Sequence, residues 1–420
     1  MNSFHCVAPV IKLMMQIIVL DTNGADSKVR TMLVDRFFRR SLLAGGAAVV
    51  LVAAGCGGGD TAGGGSDGGL PATVKVIAIS ETTGFAGPAG KASENGQKVA
   101  LEEINSTGFL GDSKIEIDFK DTGSQPAQGV ALLNQAIQSK ASVVLGSILS
   151  TVVAAEAPLA ERSKVPMLYL SSSGEFAQGT KYVWAATPPA DQYFHWETEY
   201  LRDKNAKNVA IIYNSDVSST QKWADSVWPP LAQQAGLNIV AKEASPTSAT
   251  DASGVVSKVV AKNPDAVVVL ASGTANNAIV LALRRANFKG IITGSIGMAG
   301  AINPLKEQGD GVFWPTNFSN LVQTEQVKNF VGLYQKMFNN ELPNNYAAAA
   351  YDEVWFLARA LKQANSTDRE AINTALQQVG SAGFDGALGK ITYKDNVSQA
   401  PGLLIEWRGG KEVPVEGYGG

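Results

Sequence analysis

The sequence predicts an α/β protein made of two doubly wound lobes. Two apolar runs, Val143–Leu145 and Val165–Leu170, are too short for helices and do not alternate, which is typical of strands buried on both faces of a parallel sheet. Val152–Lys164, between them, has apolar residues at helical spacing and completes a βαβ unit. The same strand–helix alternation starts at Thr73 and resumes after residues 187–189, which indicates a second, similar lobe.

The remaining elements follow in order from the same periodicities. The first lobe adds a strand at Thr73–Ser80, a helix at Lys91–Asn105, a strand at Lys114–Lys120 and a helix at Gln128–Lys140. The second lobe has strands at Asn208–Tyr213, Leu237–Glu243, Asp265–Ala271 and Gly290–Gly294, separated by helices. Near the end, three helices are expected, the last opened by Thr367 with Glu370 as a capping box. Gly389–Tyr393 and Leu403–Trp407 are predicted to form a terminal hairpin.

Hydroxyl side chains follow both strands of the first βαβ unit. Parallel strands end at one rim of a sheet, where ligands of open α/β sheets bind, so these hydroxyls are expected to lie together. With a helix N-terminus nearby, they suit a small anion such as a carboxylate. Helix capping is the alternative role for any one of them. The residues are Ser147, Ser150, Thr151, Ser171, Ser172 and Ser173.

Composition narrows the possible functions. A chain of 420 residues with net charge −3 has no basic surplus for nucleic acid. Two histidines and two cysteines provide no metal-ligand spacing, so no metal or other cofactor is expected. No G-x-G-x-x-G and no G-x-S-x-G follows a predicted strand, and no P-loop is present, so an enzyme is not predicted.

The N-terminal segment is predicted to be an export signal. Arginines precede the apolar stretch Leu42–Ala54, which is too short to span a bilayer, and small residues lead to Cys56. The ending resembles the lipobox of bacterial lipoproteins, which implies a lipidated Cys56, and residues 38–43 resemble a twin-arginine export motif more weakly. Residues 32–55 are therefore predicted to be the signal peptide. Residues 1–31 are predicted to be either a mis-start of translation or a disordered segment. Eight glycines among residues 57–69 make 56–71 a flexible tether to the outer face of a bacterial membrane.

The order of motifs resembles the type I periplasmic binding proteins of the leucine/isoleucine/valine-binding group, the solute receptors of ABC importers. The residues that carry the resemblance are the loop TGFAGPAG, Gly96, Asp121, the turns GSILST and SSSGE, Asp191, Tyr351-Asp352 and Gly386–Tyr393. It implies two Rossmann-like lobes joined by three hinge crossings. Lobe 1 is expected to comprise residues 72–187 and 318–385, and lobe 2 residues 188–317 and 386–420.

The resemblance also implies where ligand contacts lie. Ser150, Ser171 and Ser173 fall where the family holds the ligand's α-carboxylate. Asp191 falls at the family's inter-lobe aspartate and either faces an ammonium or caps a helix. The other expected ligand-binding residues are Thr83, Phe85, Thr151, Ser172, Tyr193, Ser218, Ile296 and Met298.

One departure from the family pattern concerns the ligand. Amino-acid binders of this group carry an acidic residue for the α-ammonium in the turn GSIGMAG, where this chain has Ile296. Ser218 and Gly273 fall where aromatic residues are expected. A buried ammonium without a carboxylate partner is costly, so this departure favours a carboxylate that lacks the ammonium, such as a branched 2-oxo acid or an aromatic acid. A branched-chain or hydrophobic amino acid stays open as the alternative.

Two biological roles stay open at this stage. In the first, a monomer with a bound ligand docks on ABC permease subunits and contacts the membrane only through its lipid. In the second, the same body senses a ligand for a receptor or kinase. A repressor of this fold would need an N-terminal helix-turn-helix, where this chain has an export signal.

Overall fold

A computed structural model describes residues 69–419 of the chain. The predicted signal peptide, Cys56 and most of the tether lie outside these residues. The strands are β1 (Thr73–Ser80), β2 (Lys114–Asp121), β3 (Val144–Leu145), β4 (Met167–Tyr169), β5 (Val183–Ala185), β6 (Asn208–Asn214), β7 (Asn238–Ser245), β8 (Ala266–Leu270), β9 (Ile291–Gly294), β10 (Val312–Thr316), β11 (Phe384–Gly386), β12 (Gly389–Lys394), β13 (Val397–Gln399), β14 (Leu403–Arg408) and β15 (Lys411–Gly419).

The helices connect and cover these strands. They are α1 (Gly87–Ser106), α2 (Pro126–Gln138), α3 (Ser150–Arg162), α4 (Phe194–Asp203), α5 (Ser218–Lys222), α6 (Trp228–Gln234), α7 (Ser253–Val260), α8 (Ala275–Arg285), α9 (Glu325–Met337), α10 (Asn345–Ala364) and α11 (Arg369–Ala382). A π-helical turn, Trp223–Val227, joins α5 to α6 just before Pro229-Pro230, where the sequence predicts a bend. Among these helices, none has the length and apolar character that a membrane crossing requires.

The strands form two sheets, one for each lobe. The first has the order β11-β12-β13-β5-β4-β3-β1-β2 and the second the order β15-β14-β10-β9-β8-β6-β7. In each lobe the first strand lies between the second and the third, so the chain reverses direction across the sheet beside β1 and beside β6. This reversal creates a crevice at the carboxyl ends of the parallel strands, where ligands of doubly wound folds bind. The predicted fold class is confirmed.

Three segments cross between the lobes. They lie between β5 and α4, between β10 and α9, and between β13 and β14. The third crossing comes later than the expected boundary at residue 386, because β12 and β13 stay in the first sheet, with Val397 paired to Ala185. The predicted hairpin of β12 with β14 is wrong for the same reason. The sequence signal for the true hairpin is Asp395-Asn396, two residues with positive φ that turn β12 into β13.

Close helix packing holds the first lobe together. Helix α10 is buried along most of its length and lies against α1. Gly96 permits this approach, since a Cβ there would lie 1.9 Å from the carbonyl oxygen of Ala347. The cap of α11 differs from the predicted capping box: Asp368, rather than Thr367, accepts the N–H of Ala371, at 3.0 Å.

Candidate functional site

A cavity lies between the lobes where their two crevices face each other, and we call it the cleft cavity. Loops that follow β1, β3 and β4 line it from the first lobe, and loops that follow β6, β8 and β9 line it from the second. Its volume is about 40 Å³. The lining residues are Ala86, Ala89, Ile148, Leu149, Ser150, Leu170, Ser171, Ser172, Val217, Ser219, Trp223, Ser272, Gly273, Ser295, Ile296, Gly297 and Tyr346.

The wall of the cleft cavity is polar but carries no acidic or basic side chain among the described residues that line it. Seven of the seventeen lining residues bear hydroxyls, six serines and Tyr346. Burial raises the pKa of Tyr346 to about 12, so this phenol stays neutral at physiological pH. A ligand carboxylate could accept hydrogen bonds from these hydroxyls, whereas a ligand ammonium would meet no countercharge.

Helix α3 begins at the cavity. Ser150 is its first residue, and the first amides of a helix have no intrahelical acceptor. The N-terminus of α3 therefore adds N–H donors and positive partial charge to the hydroxyl-lined wall. Arg162 lies in the last turn of α3, where its positive charge interacts favourably with the negative end of the helix dipole.

Direct contacts join the lobes across the cleft. The hydroxyls of Ser150 and Ser219 lie 3.1 Å apart, and the backbone N–H of Ser219 donates to the Ser150 Oγ at 3.2 Å. On a neighbouring edge, Phe85 approaches Gly273, where an added Cβ would lie 2.4 Å from the Phe85 carbonyl oxygen. Gly273 has a φ of +56°, so this tight meeting of lobes requires glycine for both its space and its conformation. These contacts hold the two lobes together across the cleft.

Four of the predicted ligand-binding residues line the cleft cavity: Ser150, Ser171, Ser172 and Ile296. Ser150, Ser171 and Ile296 are each almost fully buried. Phe85 reaches the edge of the cleft through its backbone, as described above.

Two predicted residues of the first lobe stabilise loops instead of lining the cavity. The Thr83 hydroxyl donates to Asp121 at 2.5 Å, and the amides of Thr82 and Thr83 donate to the same carboxylate. Ser173 accepts the Tyr169 hydroxyl at its carbonyl oxygen, at 2.7 Å, and its own hydroxyl is buried away from the cavity wall.

Three more predicted residues lie one position away from the wall. Thr151 and Ser218 adjoin Ser150 and Ser219, and one residue along a helix turns a side chain by about 100°. Met298 is completely buried in the core of the second lobe, two residues after Ile296. The sequence therefore predicts the correct loops, but within each loop the predicted residue adjoins the one that lines the cavity.

Asp191 and Tyr193 belong to the hinge. The Tyr193 hydroxyl donates to the Ala400 carbonyl oxygen at 3.0 Å, which ties the first crossing to the third. Asp191 lies inside a 3-10 turn, Ala190–Gln192, whose N-cap is Pro189, and the N-cap of α4 is Tyr193, so Asp191 takes the N-cap position of neither. It faces a different cavity of about 250 Å³, which we call the charged cavity. The charged residues that line it are Glu175, Asp191, Lys222, Lys394 and Asp395.

An ion pair crosses between the lobes at the charged cavity. The Lys222 Nζ lies 3.0 Å from the Glu175 Oε2, and α5 thereby meets the loop after β4. Burial raises the pKa of Asp191, while Lys222 opposes and Glu175 adds to that shift. The charges at the lobe interface are thus gathered in the charged cavity and are absent from the described wall of the cleft cavity.

Sequence reasoning missed most of the second lobe's contribution. Ser272 lies two residues after β8 and Ser295 directly follows β9, so the strand-end rule used in the first lobe would have found them. Trp223 lies four residues after Ser219 and shares its helix face. No local pattern marks Tyr346, which reaches the cavity from the start of α10.

Two like lobes, three crossings and a cavity between facing switch points define a two-lobed solute-binding protein. The chain matches the family model for periplasmic binding proteins over residues 73–411 and belongs to that family. The type I, branched-chain amino acid group inferred from the sequence is confirmed.

Relatives and solved structures agree with this membership. "Leu/Ile/Val-binding protein homolog 7" of Brucella abortus (strain 2308) is 26% identical over 379 residues, covering 83% of this chain and 93% of that protein. The substrate-binding protein LivJ of Streptococcus pneumoniae, solved with isoleucine, is 24% identical with a TM-score of 0.73, covering 82% of this chain and 100% of that chain. A Rhodopseudomonas palustris solute-binding protein, solved with benzoate, is 18% identical with a TM-score of 0.73, covering 82% and 95%.

Proposed function

We propose that this chain is the extracytoplasmic substrate-binding lipoprotein of an ABC importer. Its ligand is a small carboxylate without an ammonium group, such as a branched 2-oxo acid, held in the cleft cavity. Lipid attached to Cys56 anchors the protein to the outer face of a bacterial membrane, and the closed, liganded form docks on the permease subunits. The observation that carries the choice of ligand is that no described residue of the cleft wall has an acidic side chain.

The donors on the first lobe suit the acidic end of such a ligand. Ser150, Ser171 and the N-terminus of α3 present hydroxyls and amides to one side of the cavity. Hydrogen bonds to a charged group contribute about 1.5–3 kcal/mol each, so two or three suffice for a tight complex. Because contacts from Ser219, Ser295 and Ile296 come from the second lobe, a ligand that touches both walls favours the closed state.

An amino acid is a poorer match for this wall. Its ammonium would lose water without gaining a carboxylate partner, and the penalty for an unpaired buried ion is several kcal/mol. The size of the cavity does not separate these ligand classes. At about 40 Å³ it is well below the roughly 150 Å³ cavity that holds benzene, so a branched 2-oxo acid and an aromatic acid would each have to move the lobes apart.

Thermal unfolding in the presence of matched ligands tests the proposal. We expect 4-methyl-2-oxopentanoate to stabilise the purified protein by about 2.7 kcal/mol at 100-fold excess over its Kd and leucine far less, and benzoate tests the aromatic alternative. Leucine and 4-methyl-2-oxopentanoate share their carbon skeleton and carboxylate, so the pair isolates the ammonium. Stabilisation by leucine equal to or greater than that by the oxo acid would overturn the assignment of ligand class.

A further inference from the structure

Two buried carboxyl groups lie directly behind the wall of the cleft cavity. Glu81 follows β1 and Glu156 belongs to α3, and both are fully buried. The Glu81 Oε2 accepts the backbone N–H of Ile148 at 2.9 Å, and the Ser147 hydroxyl donates to the Glu156 Oε1 at 3.1 Å. Ile148 and Leu149 line the cavity just before Ser150, so the two glutamates support the turn that presents the ligand-facing donors.

The second oxygen of each carboxyl group has no hydrogen-bond partner among the described residues. These atoms, the Glu81 Oε1 and the Glu156 Oε2, are buried. Packing is tight at Glu156, because a Cβ added to Gly129 would lie 2.8 Å from the Glu156 Oε1. The two carboxyl groups are anchored on consecutive residues, Ser147 and Ile148, so two ionised groups would repel each other strongly in this buried site, whereas one proton between them would serve both free oxygens.

Among residues 69–419, the elements packed against the pair provide no cation to neutralise it. Helix α2, which packs on α3, carries no charged side chain, and the charged residues of α1 and the other charged residues of α3 are exposed or half-exposed. At the end of neighbouring β2, Asp121 already accepts from Thr82 and Thr83. The pair's charge is therefore governed by its own protonation.

We propose that Glu81 and Glu156 share a proton and act as positioning residues, holding the Ser147–Leu149 turn in its ligand-binding geometry. The ligand-affinity part of this inference rests on the proposed function. Loss of the shared proton leaves two facing carboxylates, which separate and release the amide of Ile148. Ligand binding then weakens although no group on the cavity wall has titrated.

The sign of the pH dependence follows from the direction of the shifts. Burial raises the pKa of Glu81 from 4.5 to about 7, and burial together with the charge of Glu81 raises the pKa of Glu156 from 4.5 to about 8. A carboxyl group whose pKa is higher in the folded protein stabilises it fully below about pH 4.5. That contribution is lost as the pH rises through the range from 7 to 8.

The first test uses ligand-free protein. We expect the melting temperature of the wild type, and the hydrogen-exchange protection of the Ile148 amide corrected for intrinsic rate, to fall between about pH 6 and about pH 9. In Glu156→Gln both profiles become flat, because an amide donor lets Glu81 stay ionised and bonded to Ile148. The exposed Glu102→Gln serves as the matched control and keeps the wild-type profiles. If Glu81 and Glu156 titrate independently, the melting temperature and the exchange protection of Glu156→Gln still change with pH as Glu81 ionises. That result would overturn the proposal of a shared proton.

The second test uses 4-methyl-2-oxopentanoate as the probe. Its affinity for the wild type is expected to fall at least about ten-fold over the same pH range and to stay constant for Glu156→Gln. An equal loss of affinity in both proteins would overturn the positioning role. If the probe binds neither protein at any pH, the proposed ligand is wrong, while the ligand-free profiles still decide whether the proton is shared.

Discussion

The cleft cavity and the charged cavity both lie where the lobes meet, yet their chemistry is opposite. The first is lined by hydroxyls and apolar groups, and the second contains five charged side chains, including the Glu175–Lys222 pair. Both side chains of that pair are partly exposed, so the pair contributes no more than about 1 kcal/mol to closure. The comparison indicates that the residues proposed to select the ligand and the charged residues that join the lobes line separate cavities.

The largest expected effect comes from placing a charge in the neutral cavity. Ile296→Asp brings a carboxylate to the wall and should weaken binding of 4-methyl-2-oxopentanoate more than about 100-fold, because like charges at close range in a buried site cost several kcal/mol. Leucine should gain affinity relative to the oxo acid. Isothermal titration of both ligands measures the change, with Ile296→Asn as the neutral control of similar shape. Unchanged selectivity in Ile296→Asp would mean that Ile296 does not face the ligand.

A smaller effect is expected from removing a single donor in the cleft. Ser150→Ala should weaken binding of the oxo acid about ten-fold, which corresponds to one hydrogen bond to a charged group, and it also removes the contact with Ser219. Ser173→Ala is the matched control, since that hydroxyl is buried off the cavity wall. Equal losses in the two variants, measured by titration, would contradict the assignment of Ser150.

The smallest effect is expected at the charged cavity. Lys222→Met should lower ligand affinity less than about five-fold, and the loss should vanish at high salt because exposed pairs are screened. The pKa of Asp191 is raised by burial, and Lys222 opposes that shift, so the variant should raise it further. Stability linked to Asp191 is greatest at low pH and is lost as the pH rises through its folded pKa, so this loss should move to higher pH in the variant.

Two measurements check the prediction for Lys222. Titration calorimetry at low and high salt gives the affinities, and a pH series followed by carboxyl carbon NMR gives the pKa of Asp191. Lys394→Met, in the same cavity but without an ion pair to another described residue, is the control. A selectivity change between leucine and the oxo acid in Lys222→Met would show that the two cavities are not independent.

In the first lobe, the periodicity of apolar residues predicts both the strands and the rim where the site forms. Both strands of the opening βαβ unit and the hydroxyls after them were found, because a strand buried on two faces has a distinctive apolar run and its end marks the rim of the sheet. Ser150, Ser171 and Ser172 line the cavity as expected. Thr83 and Ser173 do not, because neighbouring groups at Asp121 and Tyr169 already engage them or their backbone.

In the second lobe and the hinge, local sequence patterns do not predict which side chains line the cleft cavity. The sequence predicts a ligand contact at Ser218, whereas Ser219 lines the wall, since one residue along a helix turns the side chain to another face. Asp191 was placed near the ligand, whereas the hinge directs it to the charged cavity. Tyr346 lies far along the chain from every other cavity residue and has no sequence signal.

The sequence by itself determined the two-lobed α/β fold, the rim on which the site forms and the lack of an acidic residue in the turn at Ile296. These properties follow from apolar periodicity and from residues next to strand ends, which act over a few positions. Only the tertiary structure decided which side chains meet across the cleft, where the third crossing falls, and that Glu81 and Glu156 are buried together behind Ile148. Those properties depend on contacts between segments distant in the chain, and such contacts are set by packing.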